Sequence, residues 1–255
     1  MNYTEEHEII NAKGIYYSYN GEYALKNISF SLGKEFMVII GPNGSGKTTL
    51  IKLIMGLLKP NKGYIKIFGK EPEKVRDRIG YMPQKDYIAR HFPIRVRDIL
   101  LLGISNKKFI GKEEIEKAKN ALEEVGLLNL WNKRFSHLSG GQQQRVIFAR
   151  AIAKNPDMII MDEPFNGVDL PSREKILSIL RKKKRKITII TVLHNINPVA
   201  HDVDKVLLLN KEMIGFGSPK EVLNELNLQK AYGGTVSIVI CKEGFCHPLI
   251  GDTHG

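Results

Sequence analysis

One stretch limits the fold of this chain more than any other: residues 35–58, EFMVIIGPNGSGKTTLIKLIMGLL. A short apolar run suited to a strand leads directly into a glycine-rich loop, and the loop into a segment whose apolar residues recur at helical spacing. GPNGSGKT (41–48) satisfies G-x-x-x-x-G-K-[ST] at every fixed position and stands between strand and helix, as a phosphate-cradling loop requires. Glycines let the backbone approach a ligand closely, and a helix N-terminus adds N–H donors and partial positive charge. The pattern predicts that the N–H groups of Gly44, Ser45, Gly46 and Lys47 surround phosphate oxygens, with Gly41, Asn43 and Thr49 completing the loop. Lys47 would neutralise the β and γ phosphates, and Thr48 would offer its hydroxyl to Mg²⁺.

A second motif supplies acid groups. MIIMDEP (158–164) reads as a buried strand presenting Asp162 and Glu163 at its carboxyl end, where ligands sit in open α/β sheets. Asp162 is expected to hold Mg²⁺, and Glu163 to orient or deprotonate an attacking water. Strands ending in Asp-Glu are common at surfaces, so this motif gains its meaning from the phosphate loop.

Around these motifs, short β-like runs such as YIKIF, IGYMP, ITIIT (187–191) and KVLLLN (205–210) alternate with helical segments. The alternation predicts an α/β fold with a mostly parallel sheet. Asn20-Gly21 between two β-like runs predicts a hairpin, hence an antiparallel edge. From about residue 91 to 155 the pattern turns helical, with EEIEKAKNALEEVGLL an amphipathic example. That predicts a helical subdomain inserted into a nucleotide-binding core made of 1–90 and 156–220. The helix after the phosphate loop is expected to end near Gly56, and another to lie near 171–184. Ser218-Pro219 is read as the start of a helix through KEVLNEL, within a C-terminal segment 221–255 that ends in a tail.

Composition narrows the class without choosing a partner. Apolar residues are 42% and charged residues 26% of the 255, which argues against extensive disorder. Thirty-nine Lys+Arg against 27 Asp+Glu leave +12, suited to a nucleotide, a nucleic acid or an acidic membrane surface. RKKKRK (181–186) is read as a solvated helix end rather than a nucleic-acid site. The longest apolar runs, such as ITIITVL (187–193), are too short to cross a bilayer. The acidic start MNYTEEHEII lacks the order of a secretory signal, so the chain is expected to stay where it is made. Cys241 and Cys246 are the only cysteines, which argues against a disulfide framework.

LSGGQQQR (138–145) remains, and it reads as a second anion site. Ser139 is expected to cap a helix beginning near Gln142, leaving Gly140 and Gly141 to bring N–H groups to a ligand. Taken with GPNGSGKT, YMPQ, MIIMDEP, NGVDL and VLHN, in that order from about residue 8 to 220, it resembles the ATP-binding subunit of ABC transporters. The resemblance implies a phosphate-loop NTPase core of RecA type. It further implies that Tyr19 stacks on adenine, that Gln84 touches Mg²⁺ and the attacking water while coupling to a membrane partner, and that His194 contacts the γ-phosphate. Glu163, His194 and Gln84 would then be the catalytic set, with Thr48, Gln84 and Asp162 toward Mg²⁺. Asp169 is similar to the aspartate of the loop after the catalytic strand. Ser139, Gly140, Gly141 and Gln142 of one subunit would face the phosphate loop of another, so that two ATP molecules join a head-to-tail dimer, expected to be a homodimer. In one departure, the family's usual aspartate after the switch histidine is replaced by Asn195.

The implied setting is the cytoplasmic face of a membrane, beside integral permease subunits and, indirectly, a solute-binding protein, with no nucleic acid. HFPIRVRDILLLG (91–103), EPFNGVD (163–169) and LQKAYGG (228–234) resemble the zinc/manganese/iron uptake branch. Other importer classes, and soluble ABC-type ATPases of cluster assembly or translation, stay open as alternatives. The tail gathers Cys241, Cys246, His247 and His254, residue types suited to Zn²⁺ but at no standard spacing.

Overall fold

The computed structural model describes residues 8–84, 93–104, 110–233, 237–240 and 246–249. β1 (Ile10–Tyr19) and β2 (Glu22–Leu32) form the expected hairpin, with Asn20 and Gly21 at φ 48° and 88°. Two consecutive positive φ values are what the type I′ turn requires, and Asn-Gly tolerates them best. β3 (Phe36–Ile40) feeds the glycine loop and α1 (Lys47–Ile54), and β4 (Lys62–Ile67) and β5 (Ile79–Met82) follow. Three helices, α2 (Val96–Ile104), α3 (Lys112–Glu124) and α4 (Gly140–Ile152), precede β6 (Met158–Asp162). The chain continues through α5 (Leu170–Lys183), β7 (Thr188–Val192), β8 (Lys205–Asn210), β9 (Glu212–Gly217), α6 (Pro219–Val222), α7 (Glu225–Tyr232), β10 (Ser237–Ile240) and β11 (Cys246–Leu249).

Contacts divide the chain into two units, Met1–Arg76 with Ile190–Gly255, and Asp77–Ile189. Strands of the first are ordered β4-β1-β2-β9-β8-β3. β3 and β8 pair in parallel with Ile40 opposite Leu208, whereas β1–β2, β1–β4 and β8–β9 are antiparallel. In the second unit β5 and β6 pair in parallel, Met82 opposite Met161, alongside α2 to α5. β3, β6 and β7 are buried at all five of their positions. Such unbroken buried runs belong to parallel strands covered on both faces, while β1, paired antiparallel with β2 and β4, mixes buried and exposed positions as a sheet with one open face does.

Several boundaries differ from expectation for local reasons. α1 does end near Gly56, at Ile54, because Gly56 at φ 65° turns the chain and donates its N–H to Leu53 O at 3.0 Å. α4 begins at Gly140 rather than near Gln142, since Ser139 caps it from immediately outside. KEVLNEL is two helices instead of one: Asn224 accepts from the Asn227 N–H at 3.0 Å and starts α7 afresh. The antiparallel strand β9 and the β10–β11 hairpin have no counterpart in the sequence reading. RKKKRK ends α5 as expected, with Arg181 paired to Glu174 at 3.7 Å and Lys183 to Glu124 at 3.4 Å. No helix among the described residues is long and apolar enough to cross a membrane.

Candidate functional site

The phosphate loop lies in the first unit. Gly46 stands at the N-cap of α1 with φ 97°, and a Cβ there would lie 2.6 Å from Ala24 O, so both backbone and space demand glycine. Lys47, the first helical residue, is 7% exposed and donates from Nζ to Gly41 O and Pro42 O, each at 2.8 Å. Ser45 is 1% exposed, and its Oγ has no hydrogen-bond partner. Gly44 has open space where a side chain would be. Buried polar groups are normally satisfied. A buried hydroxyl without a partner, an open backbone turn and a buried ammonium together fit the oxygens of a phosphate chain. Asn43 and Thr48 are exposed on the loop, and Thr49 is buried behind it.

Three further residues singled out in the sequence, His194, Asn195 and Tyr19, also lie in the first unit. The N–H of Leu193 donates to Ile39 O at 3.2 Å, which sets His194, the next residue, beside the end of β3. Asn195 Oδ1 accepts from the Asn197 N–H at 2.9 Å. An aspartate would make the same turn, so the departure at this position preserves the local fold. Tyr19, at the end of β1, is 44% exposed and meets the Tyr17 ring edge-on at 4.9 Å between centroids. That leaves an aromatic surface open to solvent.

The acid groups and LSGGQQQR lie in the second unit. Parallel pairing of β5 with β6 brings the residues beyond both strands together, and Gln84 Nε2 donates to Glu163 Oε2 at 2.8 Å. Asp162 is 4% exposed at the end of β6. Glu163 adopts φ 48°, the left-handed region, which costs a non-glycine residue of order 1–3 kcal/mol and persists only where surrounding structure imposes it. Asn166 Nδ2 also reaches Glu163 Oε2, at 3.4 Å. A carboxylate aimed by two amides is suited to accept a proton from water.

Ser139 and Gln142 form a capping box: Ser139 Oγ accepts the Gln142 N–H at 3.3 Å, and Gln142 Oε1 accepts the Ser139 N–H at 3.1 Å. The Gln142 side chain, assigned from the sequence to nucleotide contact, is thus engaged in the cap. Gly141 has a separate role. A Cβ there would fall 1.7 Å from Asp169 Oδ2 and 2.4 Å from Ser172 Oγ. Asp169 in turn caps α5, its Oδ1 accepting the Ser172 N–H at 2.9 Å. LSGGQQQR and the loop of Asp169 are therefore packed against each other with no room to spare.

That backbone hydrogen bond, with lesser help from the Ser172 side chain and Arg145, holds the Asp169 carboxyl below its ordinary 3.8 despite the opposing effect of burial. A lowered folded value means the cap stabilises fully above the ordinary carboxylate range and is lost as pH falls through the folded value. Asp169→Ala should lower Tm by about 2–4 °C at pH 7. That gap should narrow as pH falls through the folded value, where the unchanged protein loses its charged cap; thermal melts at pH 7 and in a series below pH 4 check it.

Sequence reasoning missed Gln144 and Asn166. Gln144 is 2% exposed and donates to Pro164 O at 2.9 Å, tying α4 to the segment after Glu163. Helical spacing held the clue, since 141, 144, 148 and 151 share one face and all four are buried. Of the tail residues, Cys241 and His254 lie outside the described residues, and Cys246 and His247 are described only as backbone of β11. Among the described residues no group of three or more His, Cys, Asp or Glu is placed to hold a metal ion.

Residues 25–166, more than half the chain, match the family model described as ABC transporter. The chain is 42% identical over 211 residues to the zinc transport system ATP-binding protein TroB of Treponema pallidum, covering 81% of this chain and 79% of that protein. It is 40% identical over 228 residues to the manganese transport system ATP-binding protein MntB of Bacillus subtilis, covering 87% of this chain and 91% of that protein. Among solved structures, it is similar to an ATP-binding cassette of an ABC transporter in its ADP conformation, with TM-score 0.75 and 31% identity over 88% of this chain and 96% of that one. A dimeric post-hydrolysis cassette bound to ADP and Pi gives TM-score 0.70 and 30% identity over 82% of this chain and 98% of that one. With a phosphate loop, an aimed glutamate and a capped LSGGQ helix in one α/β chain, these matches make it a member of the ABC transporter family, in the ATP-hydrolysing cassette that drives transport.

Proposed function

We propose that this protein powers the uptake of a divalent metal ion, zinc or manganese, through a membrane permease. The observation that carries its nucleotide chemistry is the loop 41–48, where Ser45 Oγ is buried without a partner and Lys47 Nζ is held against loop carbonyls that a phosphate group would displace. The choice of metal rests on the relatives named for zinc and manganese transport. ATP and Mg²⁺ are the cofactors. Tyr19 would stack on adenine, and loop N–H groups with Lys47 would bind the β and γ phosphates. Glu163, aimed by Gln84, would take the proton of the attacking water, and His194 would meet the γ-phosphate. Thr48, Asp162 and Gln84 would hold Mg²⁺, which when bound neutralises phosphate charge.

The working form in this proposal is a head-to-tail dimer on the cytoplasmic side of a membrane. Ser139, Gly140 and Gly141 of one copy close over ATP held by the other, and the helical segment 91–155 acts as a subdomain carrying them. Closing on ATP and parting after hydrolysis make a ligand-biased two-state element that works on the permease. Co-purification from membranes, followed by turnover assays on the assembled complex with each candidate metal, tests the reading. ATP turnover that rises with Zn²⁺ or Mn²⁺ delivery and not with unrelated solutes is the expected result. An assembled complex indifferent to both metals would overturn the substrate assignment.

A further inference from the structure

The C-terminal helix α7 plays no part in the chemistry so far assigned, yet it is fastened to the strand end that abuts the phosphate loop. Asn210, the last residue of β8, donates from Nδ2 to Ala231 O at 2.9 Å, fastening the end of α7 to the end of the strand. The next residue, Lys211, donates its N–H to Ser45 O at 2.9 Å, and Leu209 O leaves no room for a Cβ on Gly41, at 1.9 Å. β8 therefore abuts the phosphate loop at both its first glycine and its central serine. Tyr232, the final residue of α7, completes the arrangement: the Gly41 backbone lies near enough to act on its hydroxyl, while the Gly41 carbonyl accepts from Lys47 Nζ at 2.8 Å. Gly41 thus lies between the end of α7 and the phosphate-binding lysine.

α7 is anchored firmly enough to act as a fixed point. Leu228 and Ala231 are buried, and Asn224 caps the helix start. Burial pushes the Tyr232 hydroxyl up to about 12, so it stays protonated at any working pH. A loop free to sample many conformations loses that freedom on binding a ligand, and pre-ordering it removes the penalty.

We propose that Tyr232 and Asn210 are positioning residues that pre-order the phosphate loop from the C-terminal helix, so that nucleotide affinity depends on α7 although α7 touches no nucleotide. The inference rests on the reading of residues 41–48 as the nucleotide site. It predicts a loss specific to binding: KM for ATP rises, while turnover at saturating ATP in the assembled complex is preserved.

Calorimetric titration of the full chain with ADP tests it, with Lys47→Ala and Ile67→Ala as references. Ile67 is fully buried in β4, at the strand edge farthest from β3 in the first unit, and its truncation lowers Tm without reaching the loop. Tyr232→Phe should weaken ADP binding roughly 3- to 10-fold, the effect of one lost polar contact, with a smaller fall in Tm than Ile67→Ala causes. Asn210→Ala should weaken it by a similar factor, and Ile67→Ala should leave it unchanged. Wild-type affinity in both Tyr232→Phe and Asn210→Ala overturns the proposal, as does an equal loss in Ile67→Ala. Failure of the wild type to bind ADP, or binding unaffected by Lys47→Ala, instead removes the nucleotide-site reading, and the proposal with it.

Discussion

Glu163→Gln is expected to bind ATP as tightly as the unchanged protein and to hydrolyse it about 10²- to 10⁴-fold more slowly, the usual contribution of a positioned general base. An amide at this position still offers an oxygen to Gln84 Nε2, which donates to Glu163 Oε2 at 2.8 Å, so the loop keeps its shape. What it cannot do is accept a proton from water. ATP would therefore persist in the closed dimer, and size-exclusion chromatography in ATP and Mg²⁺ should show a dimer that the unchanged protein fails to accumulate. Near-normal steady-state turnover would remove Glu163 from the catalytic role. The left-handed backbone at Glu163, φ 48°, supports the same conclusion: a strained carboxylate held by its surroundings is aimed at something.

Gly141→Ala is expected to abolish most turnover in the assembled complex and, unlike Ser139→Ala, to destabilise the fold clearly. Removing the Ser139 hydroxyl loses one cap bond to the Gln142 N–H, worth about 1 kcal/mol. A methyl group at Gly141 would overlap Asp169 Oδ2, at 1.7 Å, and Ser172 Oγ, at 2.4 Å. Backbone and carboxylate must then shift, at a cost typical of overpacking, roughly 1–3 kcal/mol. ADP affinity of the monomer should be unchanged in both variants, since 41–48 lies in the other unit of the chain. The double variant Gly141→Ala/Asp169→Ala should lose less Tm than the sum of the two single losses, because removing the carboxylate relieves the larger overlap, while turnover stays low. That non-additivity separates packing from function. An unaltered Tm in Gly141→Ala would contradict the packing argument, and weakened ADP binding by its monomer would contradict the role assigned to LSGGQ.

These expectations show which parts of the site were legible along the chain. GPNGSGKT could be read in full because a phosphate loop is local: its glycines, its lysine and the helix N-terminus are consecutive residues. The strands β3 and β6 were legible for a related reason, since burial on both faces leaves an unbroken apolar run. β9 was harder. EMIGFG is only partly buried and pairs with β8 through antiparallel register across a one-residue turn, so no periodicity marks it. KEVLNEL looked like one helix because apolar spacing runs through Asn224, whereas the side chain of Asn224 restarts the helix.

The sequence by itself determined the phosphate loop, the acid pair Asp162-Glu163, the α/β class and the family, because each depends on contiguous residues whose chemistry does not need a fold to be recognised. Only the tertiary structure decided that Gln84 aims Glu163, that Gly141 is required by Asp169, and that the chain just beyond β8 meets the phosphate loop at Ser45. Gln84 and Glu163, Gly141 and Asp169, and Ser45 and Lys211 stand 79, 28 and 166 residues apart in the chain. Hydrogen bonds and steric exclusion act over a few ångströms whatever the separation along the backbone, so strand pairing and helix packing alone select which distant residues meet.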